Sequence, residues 1–142
     1  MKKPNKITPL APYIGGKRIL SKLITPMIDG QPHNMYCEGF VGMGGIFLRS
    51  TKVPKSEVIN DRNREIANFF RILQRHYVAF LDMLKFQITT RSEFERLCRV
   101  DASTLTDLEN AARFCICSVQ PSAVRSLGAL LALCQIGRLG ST

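Results

Sequence analysis

At 142 residues and 45% hydrophobic content, the chain is long enough for one domain with its own core, but short for an enzyme that must hold a cofactor, grip a macromolecule and do chemistry. Twenty Lys and Arg against eleven Asp and Glu leave a formal charge of +9, a balance that favours polyanionic partners through counterion release. No run approaches a membrane span, no apolar signal core follows the basic start, and the five cysteines form no CxxC pair and no ligand set with His33 and His76, so we expect a cytoplasmic protein with no membrane partner, no metal and no disulfide framework.

Residues 1–12 read as an extended arm, because Pro4, Pro9 and Pro12 oppose helix. Gly15-Gly16 is a turn, and 17–28 has the spacing of a short helix with Ile19, Leu20, Leu23, Ile24 and Met27 on one side. Asp29-Gly30-Gln31-Pro32 ends it. A strand over 34–38 runs into the glycine-rich stretch 39–45, after which 46–49 begins another helix. A second strand covers 56–60 and stops at Asp61. From 64 to 85, Ile66, Phe69, Phe70, Leu73, Tyr77, Phe80, Leu81 and Leu84 recur every three or four residues, as in one long helix or two consecutive ones. Ser92-x-x-Glu95 and Thr106-x-x-Glu109 resemble capping boxes, which predicts helices over 92–100 and 106–114. Strand, glycine loop, helix, strand and further helices make the opening of an α/β domain built on a parallel sheet.

Two constellations carry chemistry. Phe40-x-Gly42-x-Gly44 follows a strand, where glycines let a backbone approach a ligand closely; a pyrophosphate, a free carboxylate or a purely structural turn all fit. Glu38 ends the first strand. Asp61 ends the second, where an acid accepts ribose hydroxyls or caps the helix that begins near Asn63. The other constellation is Tyr13-Ile14-Gly15-Gly16-Lys17, a compact turn with a cation and a stacking ring that can close over a ligand or lie idle on the surface. His33 reads as a loop residue and His76 as helix surface. Phe69, Phe70, Tyr77 and Phe80 suit a core. Arg71, Arg75, Arg96 and Arg99 suit either a DNA backbone or a solvated face.

Taken together, Tyr-Ile-Gly-Gly-Lys (13–17), Glu-Gly-Phe-Val-Gly-Met-Gly-Gly-Ile-Phe-Leu (38–48) and Asn-Asp-Arg-Asn-Arg-Glu-Ile (60–66) resemble, in order and spacing, the Dam-type (D12 class) DNA adenine N6-methyltransferases. That family typically shows an aromatic-x-Gly-Gly-Lys segment, then Glu-Pro-Phe-x-Gly-x-Gly, then Asp-x-Asn. Gly39 stands where Pro is usual, and Tyr13 where Trp is common. The resemblance implies an incomplete Rossmann-like core, S-adenosylmethionine as cofactor, double-stranded DNA as partner, and a phage, prophage or restriction-modification setting. Carried over by position, Tyr13, Gly15, Gly16 and Lys17 border the cofactor. Phe40, Gly42 and Gly44 shape the loop beneath its methionine part, Asp61 holds the ribose, and Glu38 lies near the methionine ammonium. Two other classes stay open: a non-catalytic basic regulator that binds the cofactor or DNA, and a Rossmann-type binder of another nucleotide such as NAD.

The family's Asp-Pro-Pro-Tyr element, which engages the target amine and stacks on the flipped adenine, has no counterpart, since neither Asp-Pro-Pro nor Asn-Pro-Pro occurs. No residue is therefore assigned a catalytic role, and methyl transfer by this chain alone is not expected. Composition also breaks near residue 114: from 115 to 142 there is no Asp, Glu, Lys or aromatic residue, and three of the five cysteines lie there. Family members continue past the equivalent of Phe114 with Leu-Tyr-Leu-Gln-Arg, a small pair and Phe-Gly-Gly-Lys. Permitted codons for residues 115–125, read after insertion of a single T behind Phe114, give Leu-Tyr-Leu-Gln-Arg-Ser-Ala-Phe-Gly-Gly-Lys. The protein sequence fixes most second and third bases of those shifted codons, so codon choice cannot easily manufacture the match. We therefore expect a cofactor-binding part over 1–114 and an out-of-frame tail over 115–142. The nucleotide sequence past Phe114 checks this: codons incompatible with the restored frame would exclude it.

Overall fold

The computed structural model describes residues 17, 19–87 and 90–118. Tyr13, Gly15 and Gly16 lie outside that set, as does most of the tail. Two compact units meet at Arg62 and Asn63 in the sequence. Together the described residues hold five helices and one two-stranded parallel sheet, a mixed α/β arrangement. Among them no helix is long and apolar enough to cross a membrane.

The first unit contains α1 (Leu20–Gly30), β1 (Met35–Glu38) and β2 (Ser56–Ile59). The strands pair in parallel with Met35 opposite Ser56 and Glu38 opposite Ile59, so both run toward the glycine loop and Asp61. Both strands are one residue shorter than expected.

Helix α1 starts three residues later than its periodicity suggests, and it is buried on the other side. Ser21 and Thr25, four apart, are the buried residues, while Ile19, Leu20, Leu23 and Met27 are exposed. Small residues allow close approach, and Arg49 Nη1 donates to Ser21 Oγ at 2.5 Å.

The helix expected from residue 46 does not form. Leu48 N–H reaches the Gly44 carbonyl and Ser50 N–H the Ile46 carbonyl, giving a turn that goes no further. The cause is Asp29. Its carboxylate accepts Ser50 Oγ at 2.8 Å, Thr51 Oγ1 at 2.7 Å and the Thr51 N–H at 2.8 Å, which diverts the backbone before Pro54. Burial opposes the charge of Asp29, but these hydrogen bonds and the nearby Lys52 outweigh it and hold its pKa below the ordinary carboxylate value.

The second unit is helical: α2 (Arg64–Arg75), α3 (Tyr77–Lys85), α4 (Arg91–Arg99), a 3-10 turn (Ala102–Thr104) and α5 (Asp107–Ser118). The long periodic stretch resolves into two helices that break at His76, whose φ of −129° and ψ of 33° leave the helical region. Asn63, not Asp61, caps α2, accepting the Glu65 N–H at 2.9 Å. Helix α4 is capped two residues earlier than expected: Thr90 Oγ1 accepts the Glu93 N–H, while Ser92 lies inside. The box at Thr106 and Glu109 forms as expected, with reciprocal bonds of 3.3 Å and 2.8 Å.

Phe69 is the hub of this unit. It is fully buried, and its ring lies 5.7 Å from Phe70, 5.9 Å from Phe80 and 5.9 Å from Phe114. These tilted and edge-on aromatic contacts join α2, α3 and α5. Buried Asn68 donates to the Asp107 carbonyl at 2.7 Å, and Arg71 bridges Asn68 and Asp107, which fixes the start of α5. Arg71 therefore has a structural partner, and so does Arg96, held by Glu93. We expect Phe69→Ala to cost about 3–5 kcal/mol in urea unfolding. By contrast Val78→Ala, at a position 70% exposed, should cost under about 0.5 kcal/mol.

Candidate functional site

The glycine loop sits at the carboxyl ends of the two parallel strands, and the strand ladder is what positions it. Beyond the strands proper, Asn60 N–H donates to the Glu38 carbonyl at 2.8 Å and Val41 N–H to the Asn60 carbonyl at 2.9 Å. The pairing thus carries on into the loop and brings residues 38–42 alongside 60 and 61. Gly42 and Gly44 then adopt φ of +53° and +73°. That left-handed region disfavours any residue with a Cβ, which is why the pattern needs glycine at these two positions. Gly39, the departure from the family pattern, has nothing within 4 Å of where a Cβ would lie, so the fold has no steric need for glycine's missing Cβ there.

Asp61 closes this turn, accepting the Gly42 N–H through Oδ2 at 2.9 Å. Asp61 is thus a brace for the loop backbone and not the helix cap.

Glu38 is the buried acid of the site, 8% exposed. Oε1 accepts the Lys17 ammonium at 3.0 Å, and Oε2 accepts the Tyr36 hydroxyl at 2.7 Å. Lys17 Nζ also donates to the Phe40 carbonyl, so two acceptors converge on one cationic nitrogen. The Lys17 main chain is fixed by its carbonyl, which accepts the Ser21 N–H at 2.7 Å, and by Gly45, where a Cβ would lie 3.9 Å from the Lys17 backbone.

Burial, the hydrogen bond to Glu38 and the Glu38 charge raise the Tyr36 pKa well above the ordinary phenol value, so its hydroxyl keeps its proton and donates throughout the neutral range. Tyr36 also stacks on buried Phe47, with centroids 6.4 Å apart. It was missed in the sequence reading. The signal was available, since alternate residues of a strand share a face and Tyr36 stands two before Glu38.

Lys17, Glu38, Phe40, Gly42, Gly44 and Asp61 therefore gather around one loop, with the Phe40 ring 75% exposed above it. His33 is a half-buried loop residue and His76 an exposed one at the α2–α3 break. Among the described residues no group of three or more His, Cys, Asp or Glu suits a metal ion.

A glycine turn at the carboxyl ends of parallel strands is where many α/β proteins hold a ligand. Comparison with known proteins makes the class particular. A model of the D12 class N6 adenine-specific DNA methyltransferase family matches residues 13–124, and the chain belongs to that family as a partial domain. The family has a Rossmann-like methyltransferase fold, uses S-adenosylmethionine and binds DNA.

Removing the Asp61 brace should free the loop without unfolding the strands. In Asp61→Ala, hydrogen exchange at the Gly42 amide is expected to rise roughly tenfold, for a charge-assisted bond of about 1.5 kcal/mol. Amides within β1 and β2 should be little changed in the same NMR experiment.

Proposed function

We propose that this chain forms the S-adenosylmethionine side of a DNA adenine N6-methyltransferase and transfers no methyl group by itself. The observation that carries the reading is the cation seat. Buried Glu38 and the Phe40 carbonyl both point at the Lys17 ammonium. The α-ammonium of an amino acid offers the same charge and the same donors, so the methionine end of the cofactor fits that seat once Lys17 turns out toward water. Gly42 and Gly44 present bare backbone to the rest of that end and Asp61 borders the ribose; Tyr13, Gly15 and Gly16 join the set on the family resemblance alone. Bound there, the cofactor would supply a methyl group already activated on a sulfonium, and the residues of the chain orient it.

Double-stranded DNA is the polyanion that the +9 charge suits, in a cytoplasmic setting. The absence of Asp-Pro-Pro and Asn-Pro-Pro supports leaving the transfer step to residues outside this sequence. We further propose that residues 115–142 are read out of frame. The codon degeneracy of 115–125 supports that, whereas the family match, which runs on to residue 124, weighs against it.

Calorimetry tests the cofactor reading. S-adenosylmethionine and S-adenosylhomocysteine should both bind the full chain, Asp61→Ala should abolish binding, and Glu38→Gln should weaken it at least about tenfold by removing a charged acceptor. NAD binding without either ligand would replace this reading with another nucleotide binder. Salt-sensitive duplex binding that ignores the cofactor would replace it with a regulator.

A further inference from the structure

Among the described residues outside the glycine loop, the fold brings a pair of reactive groups together. Cys98, near the end of α4, and Cys117, near the end of α5, stand 19 positions apart in sequence with their sulfurs 3.2 Å apart. The Cys98 thiol donates to the Cys117 sulfur. Both are free thiols; Cys98 is exposed and Cys117 half-buried. No CxxC spacing announces the pair, which is why composition and spacing pointed away from any paired cysteine. We propose that Cys98 and Cys117 form a reversible dithiol switch that small peroxides close into an intrachain disulfide, locking α4 to α5.

A disulfide brings sulfurs to about 2.05 Å, so closure asks for a shift of roughly 1 Å, within reach of side-chain rotation. The roles of the two thiols differ. Exposed Cys98 meets the oxidant: its thiolate attacks one oxygen of hydrogen peroxide, the O–O bond breaks, and water leaves Cys98 as a sulfenic acid. Cys117 resolves it: its sulfur attacks the Cys98 sulfur, the S–O bond breaks, and the departing hydroxyl takes the Cys117 proton to form a second water. Two electrons from two thiols thus reduce one peroxide to two waters. Burial first, then the hydrogen bond from Cys98 and its charge, push the Cys117 pKa up to about 12. That keeps Cys117 protonated, so the oxidant reacts at Cys98, and the Cys117 proton leaves with the departing hydroxide as its sulfur bonds to Cys98. Cys115, two positions back on α5, is fully buried and turned to a different side of the helix. In a glutathione-buffered compartment the pair rests reduced, and peroxide exposure closes it.

Peptide mapping of the full chain tests the proposal. The reduced protein, freed of reductant, is treated with hydrogen peroxide, alkylated with iodoacetamide in urea and digested with trypsin. The expected product is peptide 97–99 joined to peptide 114–125 with one carbamidomethyl group on Cys115, lighter by two hydrogens than the sum of the reduced 97–99 peptide and the 114–125 peptide alkylated once. Fragmentation between Cys115 and Cys117 should assign the bond to Cys117, and dithiothreitol should reverse it. The same treatment of the urea-unfolded chain should spread the links over Cys37, Cys115 and Cys134 as well, showing that the fold selects the partner. In Cys98→Ser, Cys117 should be recovered alkylated. A native chain that gives sulfinic acid at Cys98 with Cys117 alkylated would overturn the proposal. So would bonds between molecules, a bond to Cys115, or the same distribution of links with and without urea.

Discussion

A carboxylate taken out of water must find positive charge and hydrogen-bond donors or lose its own charge. Glu38 imposes that constraint on the first unit. Lys17 and Tyr36 answer it from two directions, one from the segment before α1 and one from β1 itself, and the Phe40 carbonyl completes the cage around the lysine nitrogen. The partners are unequal. Lys17 keeps 32% of its side chain exposed while Glu38 keeps 8%, so the lysine can return to water cheaply and the acid cannot. Under the cofactor reading proposed above, an incoming ammonium would take the place of a cation already paired with this acid.

The two acids divide the work differently. Glu38 deals in charge; Asp61 deals in backbone shape, holding the Gly42 N–H in a turn that only glycine adopts easily. Both depend on the parallel ladder, which with its continuation through Asn60 sets the end of β1 beside the end of β2. The same unit leaves apolar side chains uncovered: Ile19, Leu20, Leu23 and Met27 on α1, and Met35 and Val58 on the strands. Exposure of that kind accords with a partial domain, since the sheets of α/β proteins are ordinarily covered on both faces.

Much of this was legible in the residues, and the failures have physical causes. Both strands came out within a residue because turn-forming residues bound them sharply, Gly30 and Pro32 before β1, Gly39 after it and Pro54 before β2. The break at His76 was invisible to periodicity, since Phe69, Leu73, Tyr77 and Phe80 keep helical spacing across it. The cap of α4 was misplaced because Thr90 and Ser92 each stand three residues before a glutamate, and only the fold selects between them. The helix after the glycine loop was lost to a long-range competitor, Asp29, twenty-one positions from Ser50. Helix α1 inverted the usual inference, burying Ser21 and Thr25 where apolar periodicity pointed elsewhere. Cys98 and Cys117 belong to the same class of miss: nothing local relates them.

The passage from Phe114 to Cys115 shows how little a continuous helix says about the origin of its residues. α5 runs through it to Ser118 unbroken, and Cys115 is as buried as Ala111 one turn earlier. Once capped at Thr106, a helix extends at the gain of one hydrogen bond per residue, and it accepts any run free of Pro and Gly with an apolar residue on the packed side. Cys115 and Ile116 meet that demand, and Pro121 is the first breaker. Specific polar partners are a stricter criterion. Before the passage, Arg113 reaches Glu65 on α2 and Asp107 meets Arg71. After it the sequence has no acid and no lysine to offer, and Cys117 accepts a hydrogen bond from the Cys98 thiol. Helix continuity thus fits either reading frame, and the question of frame rests on the nucleotides.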